Sequence, residues 1–196
     1  MSFVGGVGYS NIDLIYSGLD RLPDKGEEIF ARGFSMQFGG GIPATMINLS
    51  RLGVESRIIT FAGHDLFSEF VKKTLNSYPV KTVNLYKGNK MPVLLSSTLL
   101  YCGDRSFISY TDGMDLNDAV MDEVYENLKG AYVVDMHVGF LDVYKRLKKD
   151  GCIQIFDTGW EDDLTLEKYK DYLEIADYYI NTYYDILDGT YEVLKK

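Results

Sequence analysis

The sequence predicts an α/β fold in which a parallel β-sheet is flanked by helices and carries a small β-sheet lid. In the second half, short apolar strands alternate with helical patterns, which is typical of right-handed strand–helix–strand crossovers. Two segments, at about 11–38 and 91–111, instead alternate apolar and polar residues as half-exposed strands do. We expect these segments to be lid strands inserted into a single domain that spans residues 1–196.

Local patterns predict the elements of the first half. We predict that SFVGGVG is a buried strand that ends in glycines. Two strands of alternating polarity are predicted to follow, NIDLIYSGL and EIFARGFSMQF, separated by a turn at LPDKGEE. A helix is expected from Pro43 to Gly53, where glycine suits the position after a helix end. SRIITFAG is predicted to be a buried strand and HDLFSEFVKKTLNSY a helix. Asp65 is interpreted as the helix N-cap rather than a catalytic group, and His64 as a surface residue.

The second half begins with a predicted hairpin, MPVLLSSTLLYC and RSFISYT, joined by Gly103 and Asp104. AYVVDMHV, GCIQIFDTG and IADYYIN are predicted strands. They are followed by the helical patterns GFLDVYKRLKKD, DLTLEKYKDYLE and TYYDILDGTYEVLKK. The last strand, Tyr178–Ile180, would leave an unpaired edge, which we expect the C-terminal helix or another subunit to cover.

Composition and charge exclude several classes of protein. The chain of 196 residues has 46% hydrophobic and 25% charged residues, as soluble globular proteins do. Its net charge of −9 argues against nucleic acid or an anionic membrane as a partner. No apolar run approaches the length of a membrane span, and MSFVGGVGYS lacks the basic start that is typical of a signal peptide. The two cysteines and two histidines lack the spacing or neighbours of a metal site, so we expect a cytoplasmic protein without one.

A glycine-rich turn is the strongest local signal for a ligand site. FGGGIPATMINLSRLG places Gly39–Gly41 directly before a helix, where free backbone amides favour anions or polar oxygens. The alternative is a tight structural turn without any ligand. GGVGYSN begins like a dinucleotide fingerprint, but Asn11 stands where glycine is needed and a strand follows instead of a helix, so we discount that class of protein.

Taken together, these residues resemble the ribokinase-like (PfkB) carbohydrate kinase family, in the N-terminal substrate and lid portion. The matching pieces are GGVGYSNIDLIY, LPDKGEEIFARGFSMQFGGG, MINLSRLGVESRIITFAGHDLFSEF, RSFISYTDGMD, DTGW and ADYYIN. The resemblance implies a sugar or related polyol site under a β-sheet lid, with ATP and Mg²⁺ as cofactors of the complete family enzyme.

The resemblance also implies which residues contact the sugar. Asp13 would accept hydrogen bonds from substrate hydroxyls, and Gly40 and Gly41 would let the backbone approach the sugar. Asn11 lies on the same strand end but could serve the turn, and a solvated Asp13 is the alternative to ligand contact. His137, at a strand end that faces the presumed cleft, is a further candidate.

Two departures from the family pattern fall at site positions. The family usually has an asparagine after the glycine turn, whereas IPAT offers Thr45 or Ala44, depending on the alignment. The Asn-x-x-Glu motif that helps to position magnesium and phosphate would fall on NTYY. Asn181 is a candidate cofactor contact there, but Tyr184 replaces the acid and cannot act as a carboxylate ligand.

The third departure concerns catalysis. The family's Gly-Ala-Gly-Asp motif, which supplies the catalytic base and an anion hole, does not occur in the 196 residues. We therefore expect the C-terminal part of the fold to be missing and assign no catalytic residue. This chain alone should not transfer phosphate or bind a nucleotide tightly.

Two hypotheses of function follow. The first is a carbohydrate kinase represented by its substrate-and-lid half. The alternative is a non-catalytic protein of kinase ancestry that binds a sugar or nucleoside, or that oligomerises. In either case a homodimer through the lid strands is possible, because one face of EIFARGFSMQF carries aromatic residues that a core, a ligand or a partner must cover.

Overall fold

Strand–helix alternation builds the main layer of the protein. The computed structural model describes residues 2–158 and 165–180. A six-stranded, all-parallel sheet contains, in chain order, β1 (Phe3–Val7), β4 (Ser56–Thr60), β5 (Lys81–Asn84), β8 (Ala131–Met136), β9 (Ile153–Asp157) and β10 (Tyr178–Ile180). Its spatial order is β10-β9-β8-β1-β4-β5, so β1 lies inside the sheet and the chain extends from it in both directions.

Five described helices cover the two faces of this main sheet. They are α1 (Gly41–Arg51), α2 (Leu66–Asn76), α3 (Asp118–Leu128), α4 (Leu141–Lys149) and α5 (Leu166–Ile175). Ile58 packs in one core cluster with residues of α1 and α2, whereas its neighbour Ile59 packs in the other with residues of α3, α4 and α5. Because successive strand residues point to opposite faces, the helices lie on both sides of the sheet, as the sequence predicts.

A second, four-stranded sheet is built from the segments of alternating polarity. It contains β2 (Asn11–Ser17), β3 (Gly33–Gly39), β6 (Leu94–Tyr101) and β7 (Asp104–Tyr110), in the order β3-β2-β6-β7. We call it the small sheet. The β2–β6 pair is parallel and the two outer pairs are antiparallel.

Close packing ties the small sheet to the main layer. A Cβ on Gly6 or Gly8 would lie 2.6 or 2.9 Å from side-chain atoms of Ile42, so these glycines allow α1 to approach β1. The buried hydroxyls of Ser10 and Thr60 are 2.8 Å apart and join the β1–β2 connection to β4. The glycines of the discounted dinucleotide fingerprint thus serve helix packing.

Several predicted boundaries are wrong. The tight turn of the hairpin is Cys102–Gly103, one residue earlier than predicted, and both residues have positive φ, as a two-residue hairpin turn of this kind requires. β3 begins only at Gly33, because the preceding segment is a loop in which the Glu27 carboxylate accepts hydrogen bonds from Arg21 and from the backbone N–H of Asp24. β5 and α3 have no counterpart among the predicted elements.

Other predictions of local structure are confirmed. The Asp65 carboxylate accepts hydrogen bonds from the backbone N–H groups of Phe67 and Ser68, at 3.0 and 2.9 Å, so Asp65 is the N-cap of α2. His64 is exposed. Tyr178–Ile180 forms an edge strand of the main sheet. The predicted C-terminal helix TYYDILDGTYEVLKK lies outside the described residues. The expectation that this helix covers the edge strand therefore stays a prediction.

Candidate functional site

The glycine turn leads directly into α1. Gly40 is the N-cap residue, with φ 106° and ψ 137°, and a Cβ there would lie 2.7 Å from the carbonyl oxygen of Tyr9. Among residues 2–158 and 165–180, no side chain caps this end of the helix, and a Cβ on Gly41 would have no non-neighbouring atom within 4 Å. The first backbone N–H groups of α1 therefore remain available to an oxygen atom of a ligand.

Asp13 lies beside this turn. Asn11 pairs with Gly39 and Asp13 with Gln37, so both candidate side chains lie on the same face of the small sheet. A Cβ on Gly39 would lie 2.8 Å from Oδ2 of Asp13, which means that the carboxylate occupies the space that a larger residue would fill. Burial raises the pKa of Asp13. The geometry presents a partly buried, acceptor-only group next to free amide donors.

His137 follows the last residue of β8. Its Nδ1 lies 2.8 Å from the carbonyl oxygen of Val138, so Nδ1 donates the proton and Nε2 keeps its lone pair. Burial lowers the pKa of His137, although this hydrogen bond opposes the effect, so the ring is neutral near pH 7. Its ring meets that of Tyr9 edge to face, at 5.9 Å between centroids. Tyr9 thus contacts both His137 and the glycine turn.

Thr45 lies one turn into α1 and is exposed. Its hydroxyl donates a hydrogen bond of 3.1 Å to the carbonyl oxygen of Gly41. Burial raises the pKa of Asp135, in β8, to about 6, and the charge of Asp157 raises it further. An acid with this pKa changes charge within the physiological range.

The structure places the predicted site residues at one end of the main sheet, where the carboxyl ends of its parallel strands meet. Asn11 and Asp13 come from the small sheet, Gly40, Gly41 and Thr45 from the start of α1, and His137 from the end of β8. Ligands of open α/β sheets bind at this end. Asn181 lies outside the described residues.

Two groups at this edge are absent from the predicted set. Gly39 belongs to the glycine run, but its contact with Asp13 depends on the register between β2 and β3. The alternation of apolar and polar residues in the sequence does not specify this register. Asp135 is an acid within the apolar strand AYVVDMHV, a sequence signal that could have identified it.

A polar row, Gln37–Asp13–Ser96–Ser109, crosses the small sheet through directly paired residues, and the Ser96 and Ser109 hydroxyls are 2.8 Å apart.

A cleft also lies away from the candidate site. It has a volume of about 740 Å³ and is bounded by the loop after β5 and the start of α3, with Phe61, Leu85 and Met114 on its apolar side and Lys87 and Glu123 paired at its rim. It contains none of the predicted site residues. The candidate site is therefore located by its polar groups and not by this cleft.

The described residues contain neither a metal-ligand cluster nor a membrane-spanning helix. Within residues 2–158 and 165–180, no three His, Cys, Asp or Glu side chains are grouped so that they could hold a metal ion. In the same part of the chain, no helix combines the length and the apolar character needed to cross a bilayer.

Solved structures share this architecture. Ribokinase from Arabidopsis thaliana, solved with ribose and ATP, superposes with a TM-score of 0.75 and 20% identity over 100% of this chain and 69% of that one. Ribokinase from Thermotoga maritima gives a TM-score of 0.76 and 16% identity over 100% of this chain and 64% of that one. At these identities the likeness establishes the fold.

Sequence comparison gives a consistent result. An uncharacterized sugar kinase from Pyrococcus horikoshii is 35% identical over 92 residues, which are 44% of this chain and 30% of that protein. Its structure has a TM-score of 0.69 and 23% identity over 97% of this chain and 66% of that one. The chain therefore spans less than a third of this relative in the sequence match and about two thirds of it in the structural match. The profile described as pfkB family carbohydrate kinase matches residues 1–186, and the chain belongs to this family.

Proposed function

We propose that this chain binds the acceptor substrate of a PfkB-family kinase, a sugar or related polyol, at the edge where Asp13 meets the start of α1. The main support is the pairing of opposite hydrogen-bonding groups. The Asp13 carboxylate accepts hydrogen bonds from hydroxyls, and the uncapped amides of α1 donate to them. A polyol hydroxyl both donates and accepts, so it can use both groups. Asn11, Thr45 and His137 would add further contacts, with the small sheet as a lid.

ATP and Mg²⁺ are the proposed cofactors of the complete enzyme, which would transfer the terminal phosphate of ATP to a substrate hydroxyl. The proposed sugar site is formed by residues of this chain. Asn181 is the proposed contact to the cofactor. The Gly-Ala-Gly-Asp motif of the family does not occur in these 196 residues. We therefore expect a polypeptide of only these residues to bind a sugar without phosphorylating it, since phosphoryl transfer depends on positioning and charge stabilisation.

The alternative is a non-catalytic protein of kinase ancestry that binds a sugar or nucleoside, or that oligomerises. It is favoured by Tyr184 at the position of the family's acid and by IPAT after the glycine turn. A cytoplasmic location fits both readings, because the described structure has both cysteines as free thiols. Nucleic acid and membranes are not proposed as partners.

A paired assay tests the proposed function. The 196-residue chain is screened with ribose, fructose, glucose, inositol and adenosine, by thermal shift and by coupled ADP release with MgATP. We expect at least one of the neutral sugars or polyols to raise the melting temperature, without turnover above background. Turnover would contradict the proposed incompetence, a response to adenosine alone would favour the alternative, and no response at all would contradict ligand binding.

We also propose a homodimer through the strands of the small sheet. Among the described strands, β3 is an edge strand with a row of unpaired backbone groups. The side chain of Phe34 on β3 is 62% exposed, and that of Phe30 in the preceding loop is 83% exposed. A second copy would cover these side chains in an isologous contact.

Phe34→Lys is expected to convert a dimer into a monomer in sedimentation velocity at micromolar concentration.

The matched control is Leu52→Lys, since Leu52 is 80% exposed but lies at the end of α1, away from the small sheet. This variant should sediment as the wild type does. A wild-type chain that is monomeric at all concentrations, or a Phe34→Lys variant that stays dimeric, would contradict the proposed interface.

A further inference from the structure

The polar row Gln37–Asp13–Ser96–Ser109 lies on one face of the small sheet. Directly paired residues share a face, so these side chains project from the sheet side by side. The opposite face contributes Ile12 to the core that contains residues of α1 and α2. The row therefore lies on the face turned away from that core, and Asp13 joins this face to the proposed sugar site.

The row is longer than one sugar ring. Neighbouring strands lie about 5 Å apart, so Asp13 on β2 and Ser109 on β7, with β6 between them, are separated by about 10 Å. Opposite hydroxyls of a single sugar ring lie closer together than this. A ring held by Asp13 and the amides of α1 therefore leaves the far end of the row, on β6 and β7, to a second sugar unit.

The hydroxyls at the far end of the row match an uncharged ligand. Ser96 Oγ and Ser109 Oγ are 2.8 Å apart, and either of them can be the donor. This bond uses one of their two protons, so the pair still offers one donor and several lone pairs. A sugar hydroxyl both donates and accepts, so it can use both kinds of group. A phosphate would find a single donor there, with the Asp13 carboxylate on the next strand.

An unpaired hydroxyl lies beside the same pair. Thr98 follows Ser96 on β6 at the spacing that puts both side chains on one face of a strand. Thr98 is 4% exposed, and among residues 2–158 and 165–180 its Oγ1 has no hydrogen-bond partner. A buried hydroxyl without a partner destabilises the protein, and a ligand that supplies the partner removes this cost.

An exposed aromatic ring adjoins these hydroxyls. Phe107 pairs directly with Thr98, and its side chain is 50% exposed. Ligand sites combine such apolar surface with a few polar groups, and the ring can contact the C–H groups of a sugar whose hydroxyls bind to the serines. Arg105 is the cation of β7, and its guanidinium lies over the Phe107 ring, 5.6 Å from the centroid. It stands near the start of the strand, whereas Ser109 is near its end.

We propose that Ser96, Thr98, Phe107 and Ser109 form a second subsite next to Asp13 and that it takes an uncharged sugar unit, so that the acceptor is a disaccharide. We call these residues the outer subsite. The inference rests on the proposed function, because it places the first sugar unit at Asp13 and the start of α1. It adds the length and the charge of the acceptor: two sugar units, without phosphate or carboxylate.

Binding of matched sugars to the 196-residue chain tests the outer subsite. Maltose, cellobiose, sucrose and trehalose are compared with glucose and fructose by thermal shift, and the affinities are measured by calorimetry. We expect at least one disaccharide to bind about tenfold more tightly than either monosaccharide, because the outer subsite adds hydrogen bonds. Glucose 6-phosphate should bind no more tightly than glucose. Disaccharides that bind no better than the monosaccharides, or a phosphate ester that binds more tightly than glucose, would overturn the proposal.

Ser109→Ala locates the gain in affinity, because Ser109 is exposed and its hydroxyl is not needed for a packed core. We expect this variant to bind the disaccharide about fivefold more weakly and to bind glucose and fructose as the wild type does. Ser106→Ala is the matched control, since Ser106 is exposed on the same strand but on its opposite face. Equal weakening by the two variants would contradict the outer subsite.

Thr98→Val separates ligand binding from a structural role. Valine keeps the shape of the side chain and removes a hydroxyl that has no partner in the described part of the chain. The melting temperature of the unliganded chain should therefore stay the same or rise, while the affinity for the disaccharide falls about fivefold. A merely structural Thr98 would leave that affinity unchanged, which would contradict its place in the outer subsite.

Failure of the proposed function gives a different pattern. If a disaccharide binds and is weakened by Ser109→Ala but not by Asp13→Asn, the sugar site at Asp13 is wrong and the outer subsite is upheld. If glucose or fructose binds through Asp13 and no disaccharide binds more tightly, the proposed function stands and the outer subsite is wrong. If no sugar of either size raises the melting temperature, both are wrong.

Discussion

Asp13→Asn is expected to weaken sugar binding by about 10- to 100-fold while leaving the fold intact. The substitution keeps the shape of the side chain but replaces one acceptor oxygen by a donor and removes the charge. Hydrogen bonds to charged groups contribute about 1.5–3 kcal/mol, which sets the expected range. Binding is measured as the sugar-dependent rise in melting temperature, or by calorimetry with the sugar that the screen identifies.

Stability gives a second readout for the same variant. Because burial raises the pKa of Asp13, the folded state holds the ionised carboxylate at a cost, and this cost is present above the folded pKa and disappears as pH falls below the ordinary value. Asp13→Asn should therefore be no less stable than the wild type at pH 7. Asp24→Asn, an exposed carboxylate in the β2–β3 loop, is the matched control and should bind normally. Normal sugar binding by Asp13→Asn would contradict the assigned role.

Gly40→Ala is expected to destabilise the chain by about 3 kcal/mol, because two effects act at this position. A φ of 106° is strained for any residue with a side chain, and the new Cβ would lie 2.7 Å from the backbone oxygen of Tyr9. For a chain of this size the melting temperature should fall by about 6–12 °C in a thermal melt. Sugar binding should fall as well, since the turn would have to move.

Gly41→Ala is the matched control for this prediction. It adds the same methyl group one residue later, where φ is not positive and no atom of the described residues, beyond the chain neighbours and the helix backbone, lies within 4 Å. Alanine also suits the first turn of a helix, so stability should be unchanged or slightly greater. Equal melting temperatures for the two variants would show that the Gly40 conformation does not matter for folding.

The order of strands and helices follows largely from the sequence, because it is a local property. β1, β4, β8 and β9 are apolar runs next to helical patterns, and their signals depend on neighbours along the chain. β5 was not predicted, since its sequence, KTVN, is only four residues long and mostly polar. α3 was missed as well, although Asn117 caps it through a hydrogen bond to the backbone N–H of Val120. Short or polar elements depend on packing for their stability, and this packing is not visible in the local pattern.

The candidate site shows the same division. The residue types of Asp13 and Gly40, and their resemblance to a family motif, predict a sugar site from the sequence alone, with Thr45 as a candidate at a position that departs from the motif. The contact between Gly39 and Asp13 depends on strand register, and the ring contact between Tyr9 and His137 joins residues that are 128 positions apart in the sequence. Spacing along the chain contains no information about either contact.

The sequence by itself determined the family, the alternation of strands and helices and the position of the glycine turn, because each depends on residue types over a short stretch. Only the tertiary structure decided that Tyr9 meets His137, that Gly6 and Gly8 serve helix packing and that the polar row crosses the small sheet. These features arise where distant segments are brought within hydrogen-bonding or van der Waals distance. The pKa of an acid is decided there too, because it depends on the burial and charges around the carboxyl group.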